Sequence, residues 1–246
     1  HGVLRVKMEM NGEYIVNAET VIGYIHRMHE KMGELKTYPQ FLMNLSRMDY
    51  LGALGYSHGH VLLIEKASGI VVPERAEYIR AIMVELNRIA SHLFWFGAFV
   101  MDLGGFSPLM YALQDREHIL DMLEAVTGSR LTYCYFRFGG LYNDVDDDFI
   151  TAARRFIPRM RKSLAKYHKL VTGNIIFRKR LEGIAPLSKE MCRKYGASSA
   201  VARGSGINFD VRKNEPYSVY PEFDFDVPVY HECDSLARYM VRMAEL

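Results

Sequence analysis

Residues 73–103 read PERAEYIRAIMVELNRIASHLFWFGAFVMDL, and this stretch decides the fold. A proline in the first turn, with acidic residues beside it, is typical of the start of a helix. Apolar residues then recur at helical spacing until Gly104-Gly105. The stretch therefore predicts a long helix ending near Leu103, the most apolar helix of the chain.

Further helical patterns surround this stretch. They cover residues 24–35, 38–46, 49–66, 107–127 and 149–171, and a last one begins at Asp234. Four long helices in succession favour a bundle. Alternating residues 3–10 and 14–21, joined by Asn11-Gly12, predict a β-hairpin at the start.

The predicted fold class is α+β, mainly α: a helical bundle with a small N-terminal β element. We divide the chain into a β element (1–23), the bundle (24–195) and a loop and short-strand segment that leads into a helix (196–246). In the last segment INFDV and FDFDV alternate well enough to pair as strands. The chain begins with His1 and ends within a helical pattern, so we expect a fragment of a longer protein.

Composition excludes several classes of protein. The chain has 246 residues, of which 49% are hydrophobic and 24% charged, so it can form a substantial core. A net charge of +2 gives no argument for a nucleic-acid partner. Three widely spaced cysteines form neither a disulfide framework nor a CxxC motif, and a reducing compartment fits them better.

A polar triplet lies within the apolar helix. Glu85, Arg88 and His92 share one helix face, and Asp102 lies near its end in an apolar neighbourhood. One interpretation is an internal ion pair with a hydrogen-bonded histidine, which holds the helix in register. The other is a buried polar track used in proton or electron chemistry.

Other candidate motifs are weak. His58 and His60, and the set His26, His29 and Glu30, lack the ligand number of a closed metal site, so surface or core histidines are favoured. The pairs Gly104-Gly105 and Gly139-Gly140 do not fit a phosphate-binding loop. The sequence predicts neither a metal site nor a nucleotide site.

Eight motifs, taken in order, resemble the D-subunit family of respiratory complex I (NADH:quinone oxidoreductase), which is homologous to the large subunit of nickel–iron hydrogenases. The resemblance covers essentially the whole chain and implies a hydrogenase large-subunit-like fold. The motifs are HGVLRV, IGYIHRMHEK, SRMDYL, VPERAEYIRAIMVELNRIASHLFW, MDLGGFSP, DREHILDMLEAVTGSR, FRFGG and ARGSGINFDVRKNEPYS.

The resemblance implies roles for four residues. His1 and Tyr50 match the pair that holds the quinone headgroup, and both side chains can donate protons to a reduced quinone. Asp102 matches the acidic partner of that histidine. Arg47 matches an arginine beside the terminal iron–sulfur cluster of the neighbouring subunit, where a fixed cation favours the reduced cluster.

The resemblance also implies partners and a location. Quinone is the substrate, the cluster belongs to a partner subunit, and this chain binds no cofactor itself. The implied partners are the small cluster-bearing subunit, the C-type peripheral subunit and the quinone-site membrane subunit, with no nucleic acid. The implied location is the cytoplasmic face of the inner (plasma) membrane, as a peripheral protein whose complex couples electron transfer to proton translocation.

Three sequence features bear on which related class of protein the chain belongs to. The stretch RMDYLG has no cysteine to hold nickel, which disfavours a hydrogenase. Thr132 stands where many complex I sequences have a histidine, and YSHGHVLLIEKASG (56–68 with the following glycine) differs from the family pattern. The equivalent subunit of a ferredoxin- or hydrogenase-linked membrane complex stays open, because the electron donor would bind elsewhere. A scaffold subunit without quinone chemistry is the other alternative, and the presence of His1, Tyr50 and Asp102 argues against it.

Overall fold

The computed structural model describes residues 4–246. It consists mainly of helices, with two small antiparallel hairpins, which confirms the predicted α+β, mainly α class. Contacts divide the chain into two units, His1–Asn44 and Leu45–Leu246. The boundary after Asn44 reflects spatial contacts between residues. The boundary predicted at residue 23 instead marks the change from strands to helices along the sequence.

The first unit opens with the predicted hairpin. Strands β1 (Arg5–Asn11) and β2 (Tyr14–Val21) pair antiparallel, and Gly12 takes the positive φ of 61° that the tight turn requires. Helices α1 (His29–Leu35) and α2 (Tyr38–Leu45) follow. The predicted helix over 24–35 is thus shorter than expected, because Met28 adopts a left-handed conformation at its start.

The second unit is built on three long helices and one shorter one. These are α3 (Ala53–Ser68), α4 (Glu74–Asp102), α5 (Phe106–Thr127) and α6 (Asp147–Tyr167), and a π-helical turn continues α6 to Thr172. Helix α4 matches the predicted range within one residue at each end. Gly97 lets α4 and α5 pack closely, since a Cβ there would lie 3.0 Å from the Leu109 Cα atom.

The remaining elements are short. A second hairpin consists of β3 (Phe136–Arg137) and β4 (Gly140–Leu141). The helices that follow are α7 (Ile175–Lys179), α8 (Lys189–Lys194), α9 (Ser199–Arg203), α10 (Val211–Asn214) and α11 (Ser235–Glu245). Among residues 4–246, no helix is both long and apolar enough to cross a bilayer.

The prediction that INFDV and FDFDV pair as strands was wrong. Asp210 accepts a hydrogen bond from the backbone N–H of Arg212 at 3.0 Å and so caps the short helix α10. Its carboxylate also binds the Arg212 guanidinium, at 2.7 Å. The polar position of INFDV is therefore a capping carboxylate with an ion pair and not the outward face of a strand.

Both glycine pairs form turns. Gly104, with φ of 92°, ends α4, and Gly139, with φ of 81°, closes the β3–β4 hairpin.

Candidate functional site

The loop that carries Arg47 and Tyr50 is fixed to the middle of α4. Asn87, a buried residue of α4, donates a hydrogen bond to the Leu51 carbonyl at 3.0 Å and accepts one from the Leu54 N–H at 3.1 Å. The bond from Leu54 is buried and the bond to Leu51 is partly buried, and a backbone group left unpaired away from water is costly. Asn87 therefore fixes the position of this loop along the axis of α4.

Within the loop, the two candidate residues differ in burial. The Tyr50 side chain is 52% exposed, whereas Arg47 is half-buried and donates a hydrogen bond to the Ser46 hydroxyl at 3.2 Å. Asp49 accepts a hydrogen bond from the Gly52 N–H, which shapes the turn before α3. The loop thus leaves a phenol at the surface of this unit.

Asp102 is the last residue of α4, and its side chain is exposed. It lies 15 residues beyond Asn87, about 22 Å along a helix that rises 1.5 Å per residue. His1 lies outside the described residues, so its predicted contact with Asp102 stays a prediction.

A pocket of about 280 Å³ with a mixed polar and apolar lining lies at the same end of α4 as Asp102. Its walls come from the α4–α5 turn and from the segment after α6, including Val100, Leu103 and Phe177. Arg180 donates a hydrogen bond to the Leu103 carbonyl at 2.6 Å. A guanidinium at this position satisfies one of the unpaired carbonyls of a helix end.

The polar triplet of α4 forms the predicted internal ion pair. Arg88 binds Glu85 at 2.8 Å, and both side chains are half-buried. The His92 ring instead faces α11, where its Nε2 atom lies 3.4 Å from a carboxylate oxygen of Glu245. Burial and the nearby Arg88 and Arg242 charges lower the pKa of His92 to about 4, so the ring is neutral at pH 7.

This triplet belongs to a larger network that the sequence did not indicate. Glu85 also binds Arg212 at 3.2 Å and accepts a hydrogen bond from the Tyr220 hydroxyl at 2.8 Å. Glu245 pairs with the buried Arg203. The network ties α4 to the C-terminal segment, and Arg212 and Tyr220 lie 127 and 135 residues along the chain from Glu85.

A second buried ion pair holds α3, α4 and the β3–β4 hairpin together. Arg80 is fully buried and binds Glu65 through both terminal nitrogens, at 2.7 and 3.0 Å. It also donates to the Arg137 and Gly140 carbonyls, while Glu65 accepts from the Gly139 N–H at 2.8 Å. Each charge is thereby hydrogen-bonded as well as paired, as buried charges require.

His58 lies beside this ion pair as a core histidine. Its ring packs against Phe136 and Tyr217, with centroid separations of 5.4 and 5.9 Å. Burial, followed by the Arg80 charge, lowers the pKa of His58 to about 4. In the described part of the chain, no three His, Cys, Asp or Glu side chains are placed to hold a metal ion.

The fold and the anchored loop define a mainly helical protein that presents a tyrosine on a firmly held surface loop, and comparison with known proteins identifies its family. The family model of the respiratory-chain NADH dehydrogenase 49 Kd subunit matches residues 102–246. The chain belongs to this family, which confirms the resemblance recognised in the sequence.

Relatives match along the whole chain. The D subunit of NADH-quinone oxidoreductase from Desulfotalea psychrophila is 74% identical over all 246 residues, which cover 66% of that protein. The second D subunit of Opitutus terrae is 61% identical and covered to 62%. The D subunit of Syntrophobacter fumaroxidans is 55% identical and covered to 66%. The chain thus spans slightly less than two thirds of these relatives.

Proposed function

We propose that the chain is the quinone-binding peripheral subunit of an NADH:quinone oxidoreductase. The observation that carries this proposal is the 74% identity to a subunit named for that reaction, extending through the loop with Arg47 and Tyr50 and through Asp102. NADH supplies two electrons, which reach the quinone one at a time through clusters of partner subunits. The quinone takes up two electrons and two protons and leaves as the quinol.

Tyr50 is proposed to donate one of the two protons. Its hydroxyl lies on a loop that Asn87 fixes, and its ring is half-exposed, so a bound headgroup can reach it. His1 is proposed to donate the other proton. Both donors then recover protons from water.

Asp102 is proposed to act through His1. A carboxylate beside an imidazole raises the pKa of the ring and holds it as a charged donor. In this proposal Asp102 contacts His1 and not the quinone, so it is a positioning residue.

Arg47 is proposed to face the terminal cluster of the small partner subunit. It precedes Tyr50 by three residues on the same loop, so an electron donor beside Arg47 lies near the quinone. The C-type peripheral subunit and the quinone-site membrane subunit complete the proposed chamber. The assembly would lie on the cytoplasmic face of the membrane and couple quinone reduction to proton translocation.

The test is Tyr50→Phe in the assembled complex, with Tyr56→Phe as the matched control. Tyr56 is also a half-exposed tyrosine, six residues farther along in α3. We expect Tyr50→Phe to lower NADH:quinone reductase activity at least tenfold while NADH:ferricyanide activity, which reports electron entry, is unchanged. Full quinone reductase activity in Tyr50→Phe would contradict the proposed proton donor.

Two observations distinguish the proposed function from its alternatives: the identity of the electron donor and the comparison of the two tyrosine variants. If the complex oxidises ferredoxin and not NADH, the equivalent subunit of a ferredoxin-linked complex is correct. If the Tyr50→Phe and Tyr56→Phe variants behave alike, a scaffold role is favoured.

A further inference from the structure

A cavity of about 410 Å³ lies between the loop that carries Tyr50 and the middle of α4. On the loop side its wall includes Asp49 and Gly52, which lie within two residues of Tyr50 in the sequence. On the helix side it includes Arg88 and His92. A space of this size among hydrogen-bonding side chains holds water. We call it the loop cavity.

A second cavity, of about 440 Å³, lies between α4 and the C-terminal segment. Arg88 lines this cavity as well, together with Glu85, and Glu245 of α11 contributes from the C-terminal segment. Asp226, another residue of its wall, is exposed, so the cavity is within reach of bulk water. We call it the C-terminal cavity.

The contact between His92 and Glu245 joins the two cavities. The Nε2 atom of His92, in the wall of the loop cavity, lies 3.4 Å from a carboxylate oxygen of Glu245, in the wall of the C-terminal cavity. Arg88 lines both cavities but keeps its proton at physiological pH. An imidazole can take up a proton at one nitrogen and release one from the other. His92 is therefore placed to pass a proton between the cavities.

The surroundings of His92 make its ring a weak base. The charged groups that face it are Glu85 and Arg88 of α4, Arg203 of α9, and Arg242 and Glu245 of α11. Burial, followed by the Arg88 and Arg242 charges, lowers the pKa of the ring to about 4. About one ring in a thousand is then charged at pH 7, and a proton held so weakly passes readily to a phenolate, whose pKa is about 10.

Under the proposed function, Tyr50 needs a new proton in each turnover. It gives its proton to the reduced quinone and is left as a phenolate. In the assembled chamber, the headgroup and the partner subunits cover the exposed side of the Tyr50 ring. The α4 side of the loop, where the loop cavity lies, then remains as the route by which a proton arrives.

We propose that His92 relays protons from the C-terminal cavity to the loop cavity and so restores the phenol of Tyr50. The proposal rests on the proposed function, which assigns the first proton transfer to Tyr50. A proton from solvent binds Glu245 and passes to Nε2 of His92; the other ring nitrogen releases its proton to water in the loop cavity, and that water protonates the phenolate oxygen. No electron moves, and Glu245, the ring and the water each return to their starting charge.

The test uses His92→Gln and His92→Ala in the assembled complex. Glutamine keeps a hydrogen-bond donor beside Glu245 but takes up no proton near neutral pH, whereas alanine leaves room for a small base. We expect each variant to lower kcat for quinone reduction at least tenfold, because general acid–base catalysis typically contributes more than that. NADH:ferricyanide activity should be unchanged in both variants.

Added imidazole distinguishes a relay from a structural role. It should enter the loop cavity of His92→Ala and raise the quinone reductase activity of that variant at least fivefold. Thiazole, a ring of similar size without an N–H, should not. His60→Ala is the matched control, because His60 is a half-buried histidine of α3 that is not in the wall of either cavity. It should change the activity less than twofold and show no response to imidazole.

Three results would overturn the relay. They are full quinone reductase activity in His92→Gln, no restoration of His92→Ala by imidazole, and equal restoration by imidazole and thiazole, which would indicate space filling alone. If Tyr50→Phe is inactive while His92→Gln is fully active, the relay is wrong and the proposed function stands. Full activity in Tyr50→Phe would overturn both.

Discussion

Replacing Asn87 with alanine should release the loop that carries Tyr50. The substitution removes the donor to the Leu51 carbonyl and the acceptor for the Leu54 N–H, and both backbone groups lie beside a buried side chain. A buried backbone group without a hydrogen-bond partner costs about 1–3 kcal/mol. Because the Leu54 N–H is buried and the Leu51 carbonyl only partly buried, their loss of partner together lowers the free energy of unfolding by about 1–4 kcal/mol.

The effect on activity should exceed the effect of destabilisation alone. Displacement of a reacting group by about 1 Å can cost a hundredfold in rate. In an assembled complex that retains its subunits, we expect Asn87→Ala to lower kcat/KM for quinone at least tenfold, with NADH:ferricyanide activity unchanged. Urea unfolding of the isolated chain measures the stability change.

Asn143→Ala is the matched control, because Asn143 is exposed and its side chain is outside this anchor. It should change the free energy of unfolding by less than about 0.5 kcal/mol. If Asn87→Ala lowered the free energy of unfolding by less than about 1 kcal/mol and left the quinone kinetics unchanged, Asn87 would not be the anchor of the loop.

Three further substitutions test the packing and electrostatics of the second unit. Arg80→Met should lower the free energy of unfolding by about 3–5 kcal/mol in urea, because Glu65 stays buried without its partner; a loss below about 1 kcal/mol would contradict this. Gly97→Ala should cost about 1–3 kcal/mol and lower the Tm, because its Cβ would meet Leu109; an unchanged Tm would show that α4 and α5 are not so close. The pKa of His58 is 6.5 in the unfolded chain and about 4 in the folded one, so the unfolded chain takes up a proton first as the pH falls. The free energy of unfolding should therefore fall as the pH drops from 6.5 to 4, and His58→Gln should reduce this dependence on pH.

Local signals allowed α4 to be predicted. Its start has proline and two acidic residues, its end has a glycine pair, and both act within one helical turn. The pair Glu85–Arg88 was predictable for the same reason, since three residues along a helix bring side chains together. The contacts of Glu245 with His92 and of Arg212 with Glu85 were not predictable, because sequence spacing gives no information about residues so far apart in the chain.

The candidate site was predicted through family resemblance rather than from physical pattern. No local rule assigns an exposed tyrosine on a loop to a quinone. The anchor was nevertheless visible in principle: Asn87 lies one turn from the apolar Val84 and Ala90 of α4, and a polar residue between apolar ones indicates a hydrogen bond to a neighbouring element. Its partner could only be found by folding the chain.

The most direct test of the quinone-site proposal is photolabelling of the assembled complex with an azido-quinone, followed by trypsin digestion and mass spectrometry. Labelled peptides should include 48–66, which carries Tyr50, or 89–116, which carries Asp102, and excess unlabelled quinone should abolish the label. Label confined to other subunits, or label on this chain that quinone does not displace, would contradict a quinone site on this subunit.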